Sequence, residues 1–124
     1  MPPLLVVDAS NVVGSVPDGW WRDRVGATER LRDRLVSLAE HGLPAWPTTQ
    51  LPEVVLVVEG AARSVAGVLG VRVVAADGSG DDAIVDLVAA ERGDRRCLVV
   101  TADRELRRRV AALGADTLGP RTVR

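Results

Sequence analysis

Four short runs rich in Val and Leu constrain this chain more than anything else in it: Leu4–Val7, Val54–Val58, Val71–Ala75 and Cys97–Val100. Each has the length of a strand and is too short for a helix of its own. LLVV, VVLVV and CLVV contain no polar residue, so neither face of such a strand suits water. A strand buried on both faces belongs inside a parallel sheet, with helices covering it above and below.

The segments between the runs supply those helices. In WWRDRVGATERLRDRLVSLAEHG, residues Trp21, Val25, Thr28, Leu31, Leu35 and Leu38 recur at three and four. That spacing predicts one helix with a single apolar stripe, ended by Gly42 and weakened in its first turn by Gly26. LPAWPTTQLP, residues 43–52, reads as a loop. DDAIVDLVAAERG predicts a helix with Ile84, Val85, Leu87 and Val88 inward, and DRELRRRVAALG predicts another. Ala115–Leu118 reads as a short fifth strand. Alternation of this kind predicts a three-layer α/β sandwich with a mainly parallel sheet, and residues 1–124 read as one domain.

Charge narrows the function classes. The chain carries 16 basic and 17 acidic residues, and every basic one is Arg. No global positive field announces nucleic acid, so any such surface is a local patch. Cys97 has no partner for an intramolecular disulfide and reads as a small buried side chain. No apolar stretch reaches the ~18 residues of a membrane span. The N-terminus lacks a charged region and a cleavage signal, and a cytoplasmic location is expected.

The acids fall into a pattern on that frame. Asp8 ends the first run and Glu59 the second. Asp81 and Asp82 open the helix after the third, and Asp103 follows the fourth in VVTADRE. In a parallel sheet all these places lie on the carboxyl edge, where open α/β sheets bind ligands. Each residue alone has an ordinary role open to it: Asp81, Asp82 or Asp103 as a helix cap, with Thr101 competing at the last, Asn11 in a turn, Glu59 as a solvated loop acid. Together, such acids repel one another and raise one another's pKa unless a cation is present. The single His and single Cys lie elsewhere, so a zinc site of N/S type is not expected. An all-oxygen set suits Mg²⁺ or Mn²⁺, ions that serve phosphoryl chemistry.

VVDASNVVG, GSGDDAIVDL and LVVTADREL, in that order, resemble the NYN domain group of the PIN-like nuclease superfamily, nearest its YacP-like branch. The resemblance spans nearly the whole chain. It implies a Rossmann-like sheet and a metal-dependent ribonuclease, with RNA as partner and a ribosome as an alternative one. It matches Asp8 to the metal-binding aspartate of the first strand and Asn11 to the motif's asparagine. Asp82 matches the helix-start aspartate, with Asp81 as the alternative or an outer acid. Thr101 and Asp103 match the T-x-D segment, and Glu59 an acid after the second strand. Asp86, one turn beyond Asp82, is a further outer candidate.

Arginines must offset such a cluster before RNA can approach. Arg104, Arg107, Arg108 and Arg109 follow Asp103 on one helix, and Arg104 and Arg108 share a face. Of the tryptophans, Trp20 or Trp21 could stack on a base if exposed, or pack at a helix start. Trp46, between prolines, reads as a lid on an apolar edge, and His41 as a cation at a helix end. A binding module that grips RNA or a ribosome without cutting is the alternative function. VVLVVEG also resembles the strand end of a Toprim-like domain, but TADRE lacks the D-x-D that motif needs.

Overall fold

The structure, a computed structural model, describes residues 1–124. Strand β1 (Leu4–Asp8) runs straight into a short helix, α1 (Ala9–Gly14). After a single 3-10 turn at Trp20–Arg22 come α2 (Arg24–His41), β2 (Glu53–Val58) and a second 3-10 segment, Gly60–Ser64. The chain continues through β3 (Val71–Ala75), α3 (Gly80–Glu91), β4 (Cys97–Val100), α4 (Arg104–Ala112) and β5 (Asp116–Leu118).

The five strands form one sheet in the order β3-β2-β1-β4-β5, and every pairing is parallel. Alternation along each strand divides the core in two. Leu5, Val7, Val54, Leu56, Val58, Leu98 and Val100 face α1 and α2. Leu4, Val6, Val55, Val57, Cys97 and Val99 face α3 and α4 through Ile84, Val88, Leu106 and Val110. The result is the expected three-layer α/β sandwich. The central strand β1 has β2 on one side and β4 on the other, so the strand order reverses between β1 and β4. At that reversal the crossovers leave toward opposite sides and a crevice opens at the carboxyl edge.

Three local expectations are corrected. Asn11 stands in helix rather than in a turn. Ala9, Val12 and Val13 bury against the sheet, and the Arg124 guanidinium donates to the carbonyls of Val12 and Val13 at the helix end. The long predicted helix begins only at Arg24. Asp23 caps it by accepting the Gly26 N–H at 2.9 Å, so Trp21 falls outside the apolar stripe and is 51% exposed. A Cβ on Gly26 would lie 2.3 Å from Asp23 Oδ2, so this glycine leaves room for the cap rather than weakening the turn. Trp46 is a core residue and no lid: it is buried, its indole N–H donates to Asp116, and Arg96 lies over its ring. No helix is long and apolar enough to cross a membrane.

Candidate functional site

Three polar residues are buried backbone and side chain together, Asp8, Thr28 and Thr101. Thr28 is satisfied inside α2 by the Arg24 carbonyl. Asp8 and Thr101 meet each other across the β1/β4 reversal, where Thr101 Oγ1 donates to Asp8 Oδ2 at 2.9 Å. The same hydroxyl accepts the Asp103 N–H at 3.1 Å. One residue along, the Ala102 N–H donates to Asn11 Oδ1 at 2.8 Å. The DASN and TAD segments are thus laced together by successive hydrogen bonds.

The second flank is laced through Ser10. Its hydroxyl lies 2.9 Å from Glu59 Oε1 and 3.3 Å from Asp8 Oδ1. One hydroxyl hydrogen serves one acceptor at a time, and the shorter contact is to Glu59. Glu59 also accepts the N–H of Gly80, the first residue of α3. A Cβ at Gly80 would sit 3.0 Å from Glu59 Oε2, so the carboxylate rests directly on this glycine. A helix N-terminus presents free N–H groups and a positive dipole end, which suits the carboxylate it receives.

One cap differs from the sequence alternatives and one agrees with them. Ser79, not Asp81 or Asp82, caps α3 by accepting the Asp82 N–H. Asp103 caps α4 through the Leu106 N–H at 2.9 Å, while Thr101 turns its hydroxyl to Asp8. Capping occupies Asp103 Oδ1 only.

Of the neighbouring acids on α3, Asp82 carries an exposed side chain paired with Arg109 at 3.0 Å. Asp81 is half-buried and acts electrostatically on Asp8. Burial, then Asp103, then Glu59 hold the Asp81 carboxyl above its ordinary value, against the pull of Arg109. Burial likewise pushes the Asp8 carboxyl up, and Asp81 adds to it, while the Thr101 hydroxyl draws it back. Asp86 remains exposed one turn farther on. The resemblance puts Asp82 first in this pair, with Asp81 as the alternative; in the structure Asp81 is the one whose charge acts on Asp8.

None of Asp8, Glu59, Asp81 and Asp103 forms an ion pair, although the chain has 16 Arg. The arginines of α4 are mostly engaged elsewhere. Arg107 donates to Thr117, Arg108 holds Glu105, and Arg109 holds Asp82. Arg104 is exposed and unpaired at the start of the helix beside Asp103. Sequence reasoning missed Ser10 and Gly80 as members of the site. Both lie inside the quoted motifs, but only the fold shows that they meet at Glu59.

The donor chemistry of this edge is all oxygen and fits a hard divalent cation. No three of its carboxylates already stand in the geometry that holds a metal ion. Glu59 on Gly80 and Asp103 on Leu106 are hydrogen-bonded to helix N-termini instead.

The chain matches no family model and no curated protein. Its fold is similar to that in a crystal structure of a Rae1 (YacP) variant from Bacillus subtilis. The TM-score is 0.70, covering 99% of this chain and 72% of that one, at 19% sequence identity. At that identity the likeness establishes the fold, a PIN-like α/β architecture.

Proposed function

We propose that this chain is a metal-dependent ribonuclease, an endonuclease hydrolysing RNA phosphodiester bonds at the β1/β4 crevice. The observation that carries the reading is the set of Asp8, Glu59, Asp81 and Asp103, converging at one sheet edge with no arginine paired to any of them. Burial first, and then neighbouring carboxylates, hold Asp8 and Asp81 above their ordinary values. Such a site is unfavourable without a cation, and a function that supplies one accounts for it. The resemblance of the motifs to the YacP-like branch and the likeness of the fold to a YacP structure point the same way.

Mg²⁺ or Mn²⁺ is the cofactor of this reading, and when bound it supplies an activated water and neutralises charge on the phosphate oxygens. Asp8, Asp81 and Asp103 would hold it, with Glu59 and Asp82 as outer members. Thr101 fixes the Asp8 carboxylate through its Oδ2 and Ser10 holds Glu59 beside it, so little reorganisation is left to the reacting state. Asn11 is held by its Oδ1 to Ala102, which leaves its amide N–H groups to donate to a phosphate oxygen. On α4, Arg104 is free to meet the RNA backbone, with Arg107 and Arg108 available after leaving Thr117 and Glu105.

Calorimetric titration with Mn²⁺, run beside cleavage of single-stranded RNA, tests the proposal. Binding of the ion and metal-dependent cleavage, both lost in Asp8→Asn and Asp103→Asn, is the expected result. Ion binding with no turnover on any RNA would leave a binding module for RNA or the ribosome. Cleavage unchanged in both variants would overturn the site.

A further inference from the structure

A cavity of about 450 Å³ opens beside the acidic edge, between α1, α2 and the segment after β2. That is the size range of sites that enclose small organic groups. Ala9, Val13 and Ala62 are its apolar lining, Thr28 lies among them with its hydroxyl already donated to the Arg24 carbonyl, and Trp20 and Arg24 line it as well. The Arg24 guanidinium lies over the Trp20 ring, 5.1 Å from the centroid, and has no acidic partner. Trp21 meets Trp20 edge-on at 5.8 Å and steadies the ring.

Ser10 and Glu59 belong to this cavity as well as to the acidic cluster. Whatever enters therefore lies next to the group held at the carboxylates. The apolar lining disfavours a phosphate or a sugar, while a flat uncharged ring with a π-face suits it. Arg24 is part of the lining, where the backbone joined to that ring would carry its negative charge.

We propose that this cavity receives one unstacked nucleobase of single-stranded RNA, adjoining the phosphate at the acidic cluster. Trp20 provides the stacking surface and Arg24 the charge for the flanking backbone. The inference rests on the ribonuclease reading for the identity of the strand. A base held in a duplex cannot enter, so the subsite selects unpaired RNA. Stacking tolerates any base, so the selection is for strandedness before sequence.

The test is binding of an oligoadenylate in which 2-aminopurine replaces adenine at each position in turn, in Ca²⁺ buffer and beside cleavage in Mn²⁺. Quenching of the probe at one position is expected. Trp20→Leu, and Gly78→Leu at the cavity mouth where added bulk meets open space, should each weaken binding about tenfold. An abasic site at the quenched position should bring the parent chain down to the variants' affinity. Gly78→Leu decides the matter if Trp20→Leu does not fold. Unchanged affinity and quenching in a folded variant, with Mn²⁺-dependent cleavage intact, would overturn the base subsite and leave the ribonuclease reading standing. Neither binding nor cleavage by the parent chain would overturn both.

Discussion

The Thr101 hydroxyl donates to the Asp8 carboxylate at 2.9 Å although the two residues are 93 apart in sequence. Thr101 is fully buried and Asp8 is 4% exposed, so water cannot replace either partner. The hydroxyl also accepts the Asp103 N–H and so fixes both acids at the β1/β4 reversal. Thr101→Val keeps the shape and removes both bonds. Denaturant unfolding should show a loss of about 1–3 kcal/mol, the cost of leaving buried polar groups unsatisfied. The Asp8 carboxyl should rise farther above its ordinary value, because the charged form loses a donor. Thr101→Ser should restore most of both.

Asp8→Asn separates stability from function in the opposite sense. Burial and the Asp81 charge both disfavour the Asp8 carboxylate. Removing that charge should leave the metal-free protein at least as stable as the parent, as expected where a strained site is relaxed. Differential scanning calorimetry should show Mn²⁺ raising the midpoint of the parent and not that of the variant. An equal metal-induced rise in both would remove Asp8 from the metal site.

Gly80→Ala probes the far flank. Gly80 is the first residue of α3 and has no positive φ to protect, so alanine fits its backbone and restricts the unfolded chain. Its Cβ would press on the Glu59 carboxylate at 3.0 Å and push it off the helix N-terminus. Stability should be unchanged or slightly raised, while Mn²⁺ affinity measured by calorimetry falls. Parallel losses of stability and affinity would mean that Gly80 serves packing alone.

The layers of this fold were legible because uninterrupted Val/Leu runs leave one arrangement open, and β3 and β4 fall on the residues those runs mark. The sheet edge followed from the layers, and Asp8, Glu59 and Asp103 followed from the edge. What remained hidden depended on side-chain direction. Asp81 and Asp82 are adjacent in sequence, and a rotation of about 100° per helical residue sends one toward the cluster and the other to Arg109. Asn11 read as a turn residue because nothing local says that Ala9, Val12 and Val13 will bury and wind the segment into α1. Trp46 sits in a proline-rich loop, and the partner that draws it inward, Asp116, lies 70 residues away.

That Trp46–Asp116 pair yields a pH-dependent prediction away from the site. The indole N–H donates to Asp116 Oδ2 at 2.8 Å and Arg96 adds a 3.0 Å ion pair to the same oxygen. The indole bond first, then Arg96, hold the Asp116 carboxyl below the ordinary aspartate value of 3.8. A depressed carboxyl contributes stability above its unfolded value and loses it as pH falls through the lower folded value. Asp116 is half exposed, so solvent screens this contribution and keeps it small. The Trp46 indole N–H resonance should therefore shift with a midpoint below pH 3.8 and stay flat from there to neutrality. Asp116→Asn should abolish that titration while leaving the indole bonded to the amide oxygen. A midpoint at or above 3.8 would show that the ion pair and the indole bond do not stabilise the charged carboxylate in solution.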